Sequence, residues 1–280
     1  MKLGNPVGNT AKKAINHMFK IVEKRYLSPK VALLRVEAPH IAKARRAGHF
    51  VIVRATDHSE RIPLTIAQAD LSEGTITLVI QGVGDSSNRL VSLNEGDCIH
   101  DIVGPLGRPT EIAKVGTVLC AGGGVGIAPL LPIVEAFHNA GNRVISVIAG
   151  RTKDLVIFQD EMSKAADEVI VMTDDGSLGE KGLITQGIER VIQREHVDKC
   201  VTVGPAIMMK FVAQLTQKYQ IPTIASLNTI MVDGTGMCGA CRITVDGKLR
   251  FVCVDGPEFD AHKVNFDELL MRLNAYKQPK

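Results

Sequence analysis

Tryptophan is absent from the chain, and only three of its 280 residues are tyrosine. Readers of single-stranded nucleic acid need flat side chains on which bases stack, so the composition argues against that class. Charge of either sign is also scarce in net terms. The 33 Lys and Arg against 30 Asp and Glu leave a formal +3, which points to neither nucleic acid nor an anionic membrane. The eight histidines are scattered; no H-x-x-x-H pair and no triad-like grouping marks hydrolytic chemistry. Residues 1–17 lack the apolar core of a signal peptide and read as an N-terminal extension. One uncharged run, Val115 to Val134, has the length of a membrane span. Seven glycines and prolines interrupt it, so a strand, a glycine turn and a helix start explain it better.

Cysteine is sparing but placed. Three of the six form a pattern with an aspartate: Asp233, then Cys238, Cys241 and, after eleven residues, Cys253. The plant-type [2Fe–2S] arrangement is C-x4-C-x2-C followed by a distant Cys. All of its spacings are here, with Asp233 in the first place. A carboxylate is a harder ligand than a thiolate and is expected to be the fourth ligand beside the three cysteines. Gly234, Gly236 and Gly239 let the backbone turn close to a compact anion, and their N–H groups can point at its sulfides. A zinc ribbon would require a second C-x2-C pair, which is lacking. A disulfide framework suits small secreted domains. Cys98, Cys120 and Cys200 read as small buried hydrophobes, and the whole usage suits a reducing cytoplasm.

The length allows two domains and a small appendage. Short β-like runs fill residues 18–110: Phe19–Tyr26, Val31–Glu37, His49–Ala55, Ile62–Ala67 and Thr75–Gln81. That rhythm predicts an antiparallel β-barrel or sandwich. Residues 111–227 alternate strand and helix, which predicts a doubly wound α/β domain. Its strands are Val115–Ala121, Val144–Ala149, Glu168–Thr173, Cys200–Val203 and Thr223–Leu227, the last closing a parallel sheet. Its helices are expected near 127–140, 159–166, 185–194 and 206–219. The remainder, residues 228–280, holds the cluster loop, a β pair turning at Asp246-Gly247 and a helix over 267–276.

Candidate site residues fall at strand ends. Gly122-Gly123-Gly124-Val125-Gly126 joins a strand to a helix, where a pyrophosphate meets free N–H groups and the positive end of the dipole. Its match to G-x-G-x-x-G is imperfect, since Ile127 holds the third glycine place. Asp174 and Asp175 end a later parallel strand at the same ligand-binding edge, where a solvated turn is an equally good reading. Gly204-Pro205 lies at that edge too, with Pro205 expected as the first helical residue. Met208 and Met209 read as core. Arg151 follows the second α/β strand, a place where an acid suits NAD and an arginine suits a 2′-phosphate. In the β domain, Arg61-Ile-Pro-Leu-Thr65 and Gly82-Val-Gly84-Asp85-Ser86-Ser87 read by themselves as turns.

A β domain, a nucleotide domain and a [2Fe–2S] loop in that order resemble the ferredoxin–NADP reductase superfamily. The resemblance sharpens at Arg61–Ala67, Gly104–Gly107, Gly122–Gly126, Arg151–Leu155, Val203–Met209, Ser226–Asn228, Met231–Cys238 and Cys253–Asp260. There the chain is similar to the electron-transfer subunits of dihydroorotate dehydrogenase. It is most similar to the small-subunit family of NADH-dependent ferredoxin–NADP oxidoreductases, which shares the Asp at the first cluster position. The resemblance implies that Pro63, Leu64, Thr65, Val79, Ile80, Gly84, Asp85 and Ser86 hold FAD. It implies that Gly123, Gly124, Val125 and Gly126 bind NAD(H), with Gly204 and Pro205 near the nicotinamide. The superfamily's flavin-phosphate arginine aligns with Ile62, leaving Arg61 one place away. Also implied is a larger flavoprotein partner with its own FAD and [4Fe–4S] clusters, working by electron bifurcation.

Overall fold

The computed structural model describes residues 19–275; the N-terminal extension and Tyr276 of the expected tail helix lie outside them. The first third of the described chain is a seven-stranded antiparallel sheet. It contains β1 (Phe19–Ser28), β2 (Val31–Glu37), β3 (Phe50–Arg54), β4 (Ile62–Asp70), β5 (Thr75–Gln81), β6 (Cys98–Ile99) and β7 (Asp101–Leu106). Strand order is β6-β1-β2-β5-β4-β3-β7. The two edge strands are separated in sequence by His100 alone, so the sheet must curl until its edges meet. Two helices interrupt it, α1 (Pro39–Ala44) and α2 (Asp85–Ser92). The second occupies the stretch expected as a glycine-rich turn: Ser87 Oγ accepts the Val83 and Gly84 N–H groups, each at 2.9 Å, and starts the helix there.

Alternation along β5 explains how the two large domains join. Ile76, Leu78 and Ile80 point into the barrel core with Leu34, Val36 and Val53. Val79 points the other way, into a second core with Val31, Leu33, Ala67 and the helix residues Ala128 and Leu131. β2 and β5 are therefore apolar on both faces, as sheets covered on both sides are.

The α/β domain comprises β8 (Thr117–Gly123), α3 (Ile127–Asn139), β9 (Arg143–Gly150), α4 (Gln159–Ala165), β10 (Glu168–Thr173), β11 (Glu180–Lys181), α5 (Ile184–Arg194), β12 (Lys199–Val203), α6 (Ala206–Lys218) and β13 (Thr223–Ser226). α3 and α4 pack on one sheet face, α5 and α6 on the other. Gly141, at φ +82°, ends α3 as a left-handed residue. Cys120 and Cys200 are fully buried; burial pushes the Cys200 thiol up to about 12.

The sheet order is β11-β10-β9-β8-β12-β13, with β16 (Glu258–Asp260) beyond β13 at the edge. β8 and β12 are parallel neighbours from which the chain winds outward in opposite directions, and ligands of open α/β sheets bind at the strand ends beside such a switch. One expectation is corrected here. β13 does not close a parallel sheet, because β16 pairs antiparallel outside it, Ala225 opposite Phe259. Pro205, too, caps α6 in an extended conformation, instead of being its first helical residue.

The C-terminal segment adds β14 (Arg242–Val245), β15 (Lys248–Phe251), the short helix α7 (Val252–Asp255) and α8 (Phe266–Asn274). Asp246 and Gly247 both take positive φ in the hairpin turn, as a two-residue turn matched to strand twist requires. Cys253 lies in α7, just past the end of β15 at Phe251. No helix among the described residues is long and apolar enough to cross a membrane.

Candidate functional site

One cleft of about 1150 Å³ opens between barrel and α/β domain. Its barrel wall is Phe50, Pro63, Leu64, Thr65, Val79 and Gln81. β3 and β4 place these side by side, with Thr65 opposite Phe50 and Leu64 opposite Val51. Its other wall is the carboxyl edge of the parallel sheet: Gly123 to Gly126, Arg151, Asp174, Gly204 and Pro205. Residues 140 positions apart in sequence thus face one space.

Glycine is needed in that wall for two different reasons. A Cβ on Gly126 would sit 2.6 Å from Gly204 Cα and from Val203 O. The two turns pack backbone to backbone, so that glycine serves the fold. Gly124 has φ +56° and no atom within 4 Å of where a Cβ would stand. Its neighbourhood is open cleft, bounded by the start of α3 and its free N–H groups. A bound pyrophosphate would occupy such a cradle.

Several expected site residues fall outside the lining. Ile80 is buried in the barrel core and can reach the cleft only with its backbone. Gly84 caps α2 and Asp85 and Ser86 begin it, and none of the three lines the cleft. Asp175 turns away as well, its carboxylate accepting both Ser177 N–H, at 2.9 Å, and Ser177 Oγ–H, at 2.6 Å; the Ser177 hydroxyl and N–H hold it below the usual carboxylate range. Arg61 is engaged elsewhere, donating to Asp101 at 3.2 Å. Met208, expected in the core, lines the cleft and packs its sulfur against Gly123, whereas Met209 is fully buried. Sequence reasoning missed Phe50, Ser226, Asn228 and Pro257 as lining residues. Their signal is long-range, since β3, the end of β13 and the turn before β16 meet only in three dimensions.

The cysteine loop rests on the same barrel wall from outside. Gly234, at φ +74°, would place a Cβ 2.6 Å from Leu106 and 2.9 Å from Ile52. Phe50, Ile52, Met231, Cys241 and Cys253 belong to one apolar core. Three glycines, 234, 236 and 239, take left-handed φ values of 74°, 86° and 66° and coil the loop on itself. Asp233 accepts Thr235 N–H at 2.8 Å and Cys238 N–H at 2.7 Å. Those bonds, the one from Thr235 first, hold its carboxyl below the usual range. Cys241 and Cys253 bring their sulfurs to 3.3 Å, both buried. Burial and the Cys241 sulfur push the Cys253 thiol well up.

Among the described residues no three His, Cys, Asp or Glu side chains converge tightly enough for a single metal ion. The donors come in pairs instead. Two thiolates on one tetrahedral metal stand about 3.8 Å apart, given metal–sulfur bonds of about 2.3 Å, close to the separation of Cys241 and Cys253. Asp233 and the exposed Cys238, tied by their hydrogen bond, make the second pair. Two ligands per iron is what a two-iron cluster takes, so the residues fit that group better than a lone ion.

A curled antiparallel barrel, a doubly wound domain and a cleft at its switch point define a ferredoxin-reductase-like protein, here with an iron–sulfur-type loop appended. A solved ferredoxin reductase from carbazole 1,9a-dioxygenase shares that fold, at 18% identity with a TM-score of 0.59 over 73% of this chain and 66% of that one. Residues 228–265 match the model of the iron–sulfur cluster binding domain of dihydroorotate dehydrogenase B. Over 259 residues, 92% of each chain, the sequence is 46% identical to a Thermotoga maritima homologue of the dihydroorotate dehydrogenase B (NAD+) electron transfer subunit. The chain belongs to the family of those electron transfer subunits and their homologues. A chain from the structure of an NADH-dependent reduced ferredoxin–NADP oxidoreductase, described for flavin-based electron bifurcation, superposes with a TM-score of 0.89 at 45% identity. That match covers 93% of this chain and 94% of the other.

Proposed function

We propose that the chain is an electron-transfer subunit passing electrons between NAD(H), FAD and a [2Fe–2S] cluster to a larger flavoprotein partner. The assembly is an NADH-dependent ferredoxin–NADP oxidoreductase of the electron-bifurcating kind. The partner brings its own FAD and [4Fe–4S] clusters, and the complex works in the cytoplasm. One observation carries this reading: a cleft walled by barrel and glycine turn backs directly onto the loop with paired cluster donors. Its division of labour is a flavin domain over residues 18–110, a nucleotide domain over 111–227 and a cluster segment over 228–280.

When bound, the flavin supplies hydride acceptance with single-electron release, and the cluster supplies one-electron storage. The protein's part is placement. Pro63, Leu64 and Thr65 present a flat, half-buried wall on β4, and Val79 closes its floor. Gly124 and its neighbours hold the dinucleotide phosphates by backbone N–H groups. Gly204 and Pro205, which line the cleft, would hold the nicotinamide end, and Met208 packs behind Gly123, where it would exclude water. Asp233, Cys238, Cys241 and Cys253 hold the cluster. Gly234 lets their loop lie against Ile52 and Leu106, and Phe50, which lines the cleft, packs in the same apolar core as Cys241 and Cys253.

A second reading is the electron-transfer subunit of an NAD-dependent dihydroorotate dehydrogenase. The match of residues 228–265 to that enzyme's cluster domain favours it; Asp233 in place of a first cysteine sets it behind. One experiment separates the readings. The isolated chain, loaded with FAD and cluster, should pass electrons from NADH to an artificial one-electron acceptor but not reduce ferredoxin with NADPH. Adding the large flavoprotein subunit should produce NADPH-driven ferredoxin reduction. Unaided NADPH-driven ferredoxin reduction would refute the proposal, and dihydroorotate-dependent reduction with a different partner would favour the second reading.

A further inference from the structure

The carboxyl edge of the parallel sheet carries two opposed signals at one point. Arg151 follows β9 and Asp174 follows β10, and both side chains line the cleft. The strands run in parallel register, Thr173 beside Gly150. Asp174 N–H donates to Gly150 O at 3.2 Å and Asp175 N–H to Arg151 O at 3.3 Å. A third tie, Lys153 N–H to Ser177 Oγ at 2.8 Å, laces the two loops together. Arg151 and Asp174 are thereby held about one strand spacing apart, roughly 5 Å. Among the described residues neither takes part in an ion pair with the other or with any other group. Asp175, by contrast, spends its carboxylate on Ser177. An arginine here suits a 2′-phosphate, while an acid suits a free ribose diol.

From this pair we infer that Asp174 is the residue that selects NAD(H) over NADP(H), and that it masks a latent 2′-phosphate site already supplied by Arg151. The inference rests on the dinucleotide reading of the cleft. A carboxylate is an acceptor-only group, so it receives the hydrogens of a ribose 2′,3′-diol. It repels a phosphate, which carries nearly two negative charges near neutral pH. Specificity then comes from a repulsive element as much as from an attractive one. Removing the charge at Asp174 leaves Arg151 free to pair with the phosphate, and its planar fork suits that geometry.

The test is calorimetric binding of NAD+, NADP+, 5′-AMP and 2′,5′-ADP to the FAD- and cluster-loaded chain. Wild type should prefer NAD+ over NADP+, and 5′-AMP over 2′,5′-ADP. Asp174→Asn keeps shape and an acceptor oxygen but loses the charge. It should move both ratios towards the 2′-phosphorylated ligand by about tenfold or more, since like-charge contacts cost that much or above. Adding Arg151→Ala to Asp174→Asn should abolish the gain. Asp174→Ser, read in parallel with flavin and cluster absorbance as a folding control, should shift the ratios in the same direction. Wild type binding NAD+ with ratios that do not move in either variant would overturn the inference alone. Wild type binding none of the four would overturn the dinucleotide reading, and this inference with it.

Discussion

Gly124→Val separates a ligand cradle from a structural turn, because Gly124 faces open space while Gly126 faces backbone. The substitution has two costs, and they are read by different instruments. Valine at φ +56° is strained; a left-handed L-residue costs about 1–2 kcal/mol, and β-branching raises that. For a protein of this size each kcal/mol lowers Tm by about 2–4 °C, so a fall of about 3–8 °C is expected. The second cost falls on binding. The side chain projects into the space a pyrophosphate would fill and blocks approach to the N–H groups behind it. Losing two hydrogen bonds to a charged group at about 1.5–3 kcal/mol each weakens NADH by a hundredfold or more. FAD and cluster absorbance should persist, since their walls are other residues. NADH titration of flavin absorbance under anaerobic conditions, beside a thermal melt, measures both. Unchanged NADH affinity with valine in place would show the turn to be structural only. As a control, Gly126→Ala forces a Cβ to 2.6 Å from Gly204 and should lower Tm with no site-filling effect of its own.

The remaining predictions concern other parts of the molecule. Asp233→Asn keeps an acceptor for only one of Thr235 N–H and Cys238 N–H, which Asp233 takes on separate oxygens, and loses the carboxylate ligand; it should alter the electron paramagnetic resonance spectrum, Asp233→Ala should make the cluster labile, and Asp233→Cys should keep a cluster with a shifted potential. A wild-type spectrum in Asp233→Asn would mean that the carboxylate only caps the loop. Glu258 accepts from Thr110 Oγ at 2.5 Å, and burial raises its carboxyl above the ordinary value. Its stabilising effect is therefore full below the unfolded value of about 4.3 and falls as pH rises through the folded one. Glu258→Gln should gain on wild type between pH 4 and 7, by about 1.4 kcal/mol for each unit of elevation, and parallel stability curves would refute this. Anaerobic removal of iron by a chelator should leave the flavin bound, because Leu64 and Val79 of its wall pack in cores other than the one around Cys241 and Cys253; release of flavin together with iron would contradict that.

Local chemistry made much of this protein legible. The cysteine spacing, the glycines of its loop and the Asp-Gly hairpin are short-range patterns, and each needs only neighbours in sequence to have its meaning. Strand and helix alternation was readable for the same reason: β2, β5 and β10 occupy the stretches their apolar runs marked. The sequence by itself determined the fold class, a glycine turn between strand and helix, and a cysteine loop within a segment that matches an iron–sulfur domain. Tertiary structure decided which residues share a space. Met208 and Met209 are alike in sequence, yet one lines the cleft and the other fills the core, because α6 turns 100° per residue against a fixed sheet. Arg61 pairs with Asp101, forty residues on, a partner that only the fold brings beside it. β16 reached the edge of the parallel sheet only because the chain returned there after the cluster loop. Asp174 and Arg151 became one device only through the register of two parallel strands. Each of these depends on contacts between distant segments, and no local pattern encodes which distant segment will arrive.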